Sequence, residues 1–305
     1  MNIVDNDFPS FILNSEINPD YTSSSFTAKI EMKKNNKYDL VMLANVGIPR
    51  SFYNIDKFNN KFYIKENDDP EIEISLIEGN YTLQNSEETL SANLTFKSIR
   101  GWTYSLKFIE LNHKWLFTIT NAPDFSKISL KFASNSPHKL FGFPKSNDFK
   151  DYTTLFFLSP IVMNFEKTKY ITVKSDIAHN YGNSDSDSQI LARIPVHKTV
   201  AFNEIIDFSL NQILDGAKNI HDNNSNSYSF SLFDDEENPM LLNGRHWFGT
   251  LVIFSHNNLR NEKRLIKQQL EEIDYIRKER RKKKLQKGTD ESLIIDEDDF
   301  KEPEN

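Results

Sequence analysis

The chain contains no cysteine. That removes disulfides, thiol nucleophiles and cysteine-ligated zinc in one step, and the fold does not rely on an oxidising compartment. Glycine is scarce, with 9 in 305 residues, which argues against a glycine-rich phosphate-binding fold. No apolar run approaches the roughly 20 residues of a membrane helix; the best candidate, TTLFFLSPIVMNF, is broken by Pro160. The first residues, MNIVDNDFPSFILNS, have neither the basic nor the apolar region of a signal peptide. Asn80 and Asn93 match the glycosylation pattern, but without a secretory route they stay plain sequence. P-loop, GxGxxG, GxSxG and HExxH patterns are all missing. The seven histidines, His113, His138, His179, His197, His221, His246 and His256, are scattered, with no pair at metal-ligand spacing.

What the chain does have is aromatic weight, 24 Phe and 11 Tyr against 3 Trp, a load that suits sheet faces. Net charge is −7, unevenly placed. Residues 258–288 hold 12 Lys/Arg and 5 Asp/Glu, a net of +7, and residues 289–305 hold 1 Lys and 8 Asp/Glu, a net of −7. Residues 1–257 are therefore also −7, and an acidic body argues against a globular nucleic-acid binder.

The pattern divides the chain into a polar N-terminal arm (1–24), a strand-rich body (25–257), a basic helical segment (258–288) and an acidic disordered tail (289–305). In the body, SSFTAKIEM alternates Phe26, Ala28, Ile30 and Met32, the period of a half-buried strand. YDLVMLANVGIP is denser and reads as a strand covered on both faces. WTYSLKFIELNHKWLFTIT reads as a hairpin around Asn112-His113. One body segment looks helical, NSEETLSANL, with Asn85 as N-cap, Glu88 completing a capping box, and Leu90 and Leu94 on one face. In the tail, Leu265, Ile266, Leu270, Ile273 and Ile276 form a partial apolar stripe. Many short strands with rare helices predict an all-β sandwich or jelly roll.

Three polar clusters invite a chemical reading. Residues 183–188, NSDSDS, place oxygen ligands close together as calcium requires, yet lack the EF-hand glycine and terminal glutamate, and a solvated turn is preferred. Asp234, Asp235, Glu236 and Glu237 are adjacent carboxylates of the kind used in acid–base pairs, but the following Asn238-Pro239 marks a strand-connecting loop. The basic run Arg280, Arg281, Lys282, Lys283 and Lys284 is a candidate nucleic-acid contact by counterion release, set against a solvated helix end.

Several segments together resemble the penton-type minor capsid proteins of Polintons (Mavericks), adintovirus-like elements and virophages. SFTAKIEM and YDLVMLANV are similar to the family's first strands, and Pro49, Ser51, Phe52, Tyr53, Asn54 and Ile55 fill its P-S-[WFY]-Y-N-I segment. ISLIEGNYTLQ with Gly79 and Tyr81, followed by Leu90 and Leu94, resembles its next strand and helix. HKLFGFP supplies Leu140, Gly142 and Phe143. YITVKSDIAHN and ILARIPV resemble a strand pair through Val173, Asp176, Ile177, Leu191, Arg193 and Pro195. YSFSLFDDEENPMLLNGRHWFGTLVIF resembles a closing hairpin, with Asp235, Asn243 and Gly244 in its turn. The five segments occur in order over about residues 25–255. "LIEGNY" lacks the family's usual proline, and the basic–acidic tail is outside its pattern.

The resemblance implies a single jelly roll open to elaboration, a non-catalytic virion protein that needs no cofactor, and assembly as a homopentamer at capsid vertices beside a major capsid protein. It places the protein in the virion capsid, and in host cytoplasm or nucleus during assembly. The residues give independent structural roles. Pro49 fixes φ at a strand end, Gly79 and Gly244 serve turns, and Trp102, Trp115, Phe143 and Trp247 are expected core or interface anchors. The alternative is a β-sandwich binding module that recognises a glycan or a host protein, motivated by exposed aromatics and the loop at 183–188. A jelly-roll glycoside hydrolase would need two buried carboxylates facing one cleft.

Overall fold

A computed structural model describes residues 9–17, 24–31, 38–179, 189–197, 200–210, 216–221, 225–255 and 278. The chain divides into two compact units. Nearly all the described residues fall in the one spanning 8–253; the other, 1–7 and 254–305, contributes only Phe254, Ser255 and Lys278. The loop 183–188, His256, the basic run Arg280 to Lys284 and the acidic tail lie outside the described residues.

The chain opens with β1 (Ser10–Asn14), β2 (Ser25–Lys29) and β3 (Leu40–Pro49). It then enters a long excursion of β4 (Lys61–Glu66), β5 (Ile72–Ser75), α1 (Leu83–Lys97), β6 (Thr103–Ile109), β7 (Lys114–Thr120), β8 (Ile128–Lys131), α2 (His138–Phe141), β9 (Lys150–Tyr152) and β10 (Phe156–Leu158). It returns through β11 (Tyr170–Ser175), β12 (Ala178–His179), β13 (Ile190–Pro195), β14 (Ile205–Ser209), β15 (Lys218–Ile220), β16 (Ser227–Phe233) and β17 (Phe248–Phe254).

Two sheets form a sandwich. One is four-stranded, in the order β13-β11-β16-β2, and the other runs β1-β17-β3-β15-β12, with β14 also pairing with β3. From β2 through β3, β11, β12 and β13 the chain changes sheet at every described strand. After β14 and β15, which share a sheet, it crosses again to β16 and again to β17. This alternation across a shared core is jelly-roll winding. Inner faces of both sheets meet in one cluster, with Leu43, Ile48 and Leu251 from one side and Phe26, Val173 and Phe230 from the other. Ser10–Asn14 lies within the stretch read as an arm, yet Leu13 is fully buried and β1 pairs with β17 from Ser10↔Val252 to Asn14↔Phe248.

The excursion between β3 and β11 has its own core. Sheets β5-β4-β8-β9 and β10-β7-β6 enclose stacked aromatic rings, among them Phe62 on Phe132 and Phe132 on Phe143. The jelly roll thus carries an inserted lobe. The hairpin read around Asn112-His113 is β6–β7, with Ile109 opposite Lys114 and His113 at φ 52°.

Two expectations need correction. The helix starts at Leu83, earlier than its polar pattern suggested: Thr82 is the N-cap, and Asn85 Oδ1 accepts the Thr82 amide at 2.8 Å. Asn85 therefore sits at the third helical position, where its short side chain can reach back. The segment 227–254 is not a hairpin, because β16 and β17 belong to opposite sheets. Instead, Phe233 bridges to Pro239 and the Met240 amide donates to Leu232 O, which closes a first turn. A second turn at Leu242–Arg245 uses Asn243 (φ 50°) and Gly244 (φ 79°) before the chain crosses to the other sheet.

Candidate functional site: the lobe junction and the outer surfaces

The strand end Pro49 pairs with Ile205, and the six residues after it join the sandwich to the inserted lobe. Ser51 Oγ donates to Leu242 O at 2.6 Å, and Asn243 Nδ2 donates back to Ser51 O at 2.6 Å. Tyr53 stacks on Phe202 at 6.1 Å between centroids. Asn54 works toward the lobe: its Oδ1 accepts the Tyr81 amide at 2.8 Å, and its Nδ2 donates to Tyr81 O at 2.7 Å and Phe165 O at 2.9 Å. Ile55 and Gly79 then exchange backbone hydrogen bonds. The fold thus brings Ser51, Asn54, Gly79, Tyr81 and Asn243 into one neighbourhood.

The remaining motif residues stand apart. Gly142 ends α2 at φ 69°, and a Cβ there would lie 2.5 Å from Ile161 O, so both conformation and space demand glycine. Phe143 is buried in the lobe core. Asp176 Oδ1 accepts the Ser229 amide, tying the β11–β12 turn to β16. Arg193 lies over the Tyr170 ring.

Beside this junction, lysines and carboxylates interlock. Lys167, 6 % exposed, lies 3.2 Å from Asp56 and 3.4 Å from Asp234, both buried. Asp234 Oδ1 also accepts the amides of Glu236 and Asn238. Its three acidic neighbours are likewise engaged: Asp235 with Lys139, Glu236 with Lys139 and Lys145, and Glu237 with Lys174. Burial pushes the Glu236 carboxyl up, but the hydrogen bonds and charges of Lys139 and Lys145 outweigh it and hold the group at about 2. Asp56, Lys139, Lys145 and Lys167 belong to the inserted lobe or its connections, whereas Asp234–Glu237 leave β16 of the sandwich. The adjacent carboxylates thus act as a clasp, each committed to a cation. Asp234 and Glu236 border a recess also lined by His138 and Asn164; burial pushes the His138 imidazole below its ordinary value. Among the described residues no group of three or more metal-ligating side chains converges.

Sequence reasoning missed the lysine half of this clasp, whose members are scattered over 139–174. It also missed how α1 serves the lobe. Glu87 Oε1, Ser91 Oγ and Thr95 Oγ1 accept the amides of Phe108, Leu106 and Tyr104 at 2.7, 2.9 and 2.9 Å. Four-residue steps on the helix advance about 6 Å and two-residue steps on the strand about 6.6 Å, so the two ladders match. The helix thereby closes the edge of β6 with side-chain oxygens.

On the outside, Phe125 is 99 % exposed at φ 66°. It occupies the third position of a Pro123–Ser126 turn closed by the Ser126 amide on Pro123 O, where a bulky L-residue is unusual. Left-handed backbone costs such a residue roughly 1–2 kcal/mol. Phe96 and Ile99, at and after the end of α1, are also exposed. No described helix is long and apolar enough to cross a membrane.

Fold and junction together define the class: a jelly-roll β-protein with an inserted lobe held by a polar clasp. Two solved structures are similar to it. The mavirus penton protein shares 12% identity over 82% of this chain and 100% of its own, with a TM-score of 0.44. A chain of the Sputnik virophage, determined by cryo-electron microscopy, shares 12% identity over 82% of this chain and 98% of its own, with a TM-score of 0.39. No family model matches the sequence, and no curated protein does.

Proposed function

We propose that this chain is a structural virion protein, a minor capsid subunit of the penton type that forms homopentamers at capsid vertices. The observation that carries the reading is the jelly-roll winding of a chain that also holds, in order, the segments resembling that family, three of them on the sandwich and two, at 74–84 and 138–144, on the inserted lobe. The residues of the resemblance that meet in the fold, Ser51, Asn54, Gly79, Tyr81 and Asn243, make hydrogen bonds that hold parts of the chain together, as a shell component requires. The four consecutive carboxylates, which would be the natural general acids and bases, are bonded to lysines. The reading includes a major capsid protein as partner, assembly in host cytoplasm or nucleus, and contact of Arg280 to Lys284 with genomic DNA.

Light scattering on the full chain tests it. The expected mass is near five times that of the 35.6 kDa chain, alone or on addition of a major capsid protein. A monomer under both conditions would refute the reading. The DNA role is separate: removing residues 258–305 should abolish salt-sensitive DNA binding and leave the oligomer intact.

A further inference from the structure

Away from the junction, the fold brings together two histidines that stand far apart in sequence. His179 ends β12, the last strand in the sheet order β1-β17-β3-β15-β12, and His221 directly follows β15 beside it. Ala178 stands opposite Ile220 and His179 opposite Asn219. The His221 amide donates to Ile177 O at 2.9 Å and carries the pairing one residue further. His179 and His221 are therefore diagonal neighbours across an antiparallel ladder. Ala178 belongs to the sandwich core and Ile220 packs against it, so the side chains one residue on point to the outer face. The backbone beneath them is fixed: Ile177 is fully buried, and the Ile220 amide donates to Asp39 O at 3.0 Å.

The two ring centroids lie 5.0 Å apart, with the planes at 31°. That separation has a chemical meaning. An imidazole nitrogen binds zinc at about 2.0–2.1 Å, which sets each ring centre about 3.2 Å from the metal. Two such rings on one metal have centres about 4.5 Å apart at a right angle, as on square-planar copper, and about 5.2 Å apart at the tetrahedral angle of zinc. The observed spacing falls between the two. The Cβ–Cγ bond of histidine points almost through the ring centre, and rotation about it is broad, so the rings turn their nitrogens while their centres stay in place.

We infer that His179 and His221 form a two-histidine chelate for a divalent transition cation that favours imidazole, zinc or copper. Calcium and magnesium take oxygen ligands and do not suit the pair. The cation bridges β12 to β15. β12 is two residues long and is the last strand of its sheet, so the bridge pins a short strand whose ladder alone is brief. Two protein nitrogens leave the remaining positions of the metal to water or to a donor from another molecule. The inference is independent of the capsid reading.

The absence of cysteine removes thiolate competition, so the full chain serves for the test. Calorimetric titration with Zn²⁺ should show a site that His179→Ala and His221→Ala each weaken by about tenfold or more, at least what loss of an outer-shell partner costs. The double variant should lose little beyond either single one, because one remaining imidazole no longer chelates. With one equivalent of Cu²⁺, electron paramagnetic resonance should count two imidazole nitrogens in the wild type and one in each variant. Equal melting temperatures in EDTA show that the variants fold. A measurement on the wild type alone stands beside these: saturating Zn²⁺ should shield His179 and His221 from diethylpyrocarbonate and leave His113, exposed on the β6–β7 turn, reactive. Zinc affinity unchanged by both substitutions, or equal labelling of His179 and His221 with and without zinc, overturns the site.

Discussion

Asn54 grips the peptide of Tyr81 from both sides, accepting its N–H and donating to its C=O as a neighbouring strand would. The same amide nitrogen reaches Phe165 O, so one side chain ties the lobe's first connection to an early strand end and to its last connection. Asn54→Asp keeps the shape and turns a donor into an acceptor facing two carbonyls. It should cost about 3 kcal/mol in urea unfolding, since orphaned buried polar groups cost about 1–3 kcal/mol each. A loss below a few tenths would mean the lobe is held elsewhere.

Lys167 faces two buried carboxylates, so its removal strands both. Lys167→Met should destabilise by about 3–5 kcal/mol. Adding Asp56→Asn and Asp234→Asn removes the stranded charges, and at least half the loss should return. If the triple variant is no more stable than the single one, the cluster does not act as an ion-pair unit.

Glu236 sets an acid dependence. Its carboxyl lies at about 2 in the fold against an ordinary 4.5. Below 4.5 the unfolded chain takes the proton first, so the stabilisation is complete above that value and is lost as pH falls toward 2. The amount is on the order of 2 kcal/mol after allowing for partial exposure. Thermal unfolding followed from pH 6 to 2 should show this loss in the wild type and a flatter profile in Glu236→Gln. Parallel profiles would remove the assignment.

The helix-to-strand ladder predicts a local effect. Ser91→Ala leaves the Leu106 amide without its acceptor, at a cost of about 1–3 kcal/mol. Hydrogen exchange should accelerate at Leu106 and leave β13, in the other lobe, unchanged. Equal protection of Leu106 in both proteins would show that solvent replaces the serine without loss.

The jelly roll was legible because its strands carry their own signals: Phe26 and Ala28 alternate in β2, and β3 reads as buried on both faces. Leu90 and Leu94 marked the buried face of α1, while the polar residues beside them read as solvent-facing. Nothing local reveals that Glu87, Ser91 and Thr95 meet a strand edge, because that edge lies 9 to 21 residues onward in sequence. The same limit hid the clasp. Asp234–Glu237 were visible as a cluster, but their lysines come from separate elements that only the fold assembles. The apparent closing hairpin misled for a related reason: two strands joined by turn residues look alike whether they pair or cross between sheets.

The pairing of β1 with β17 joins Ser10 to Val252, residues at opposite ends of the described body. The sandwich therefore cannot close until β17 has left the ribosome, while the inserted lobe has all its strands once residue 165 has emerged. Domains completed early fold first during synthesis, and local contacts form faster than distant ones. The lobe is then a folded body around which the first and last strands later close. Nascent chains arrested once residue 170 has emerged should already protect Trp115 from solvent, whereas Trp247 becomes protected only once β17 has emerged as well.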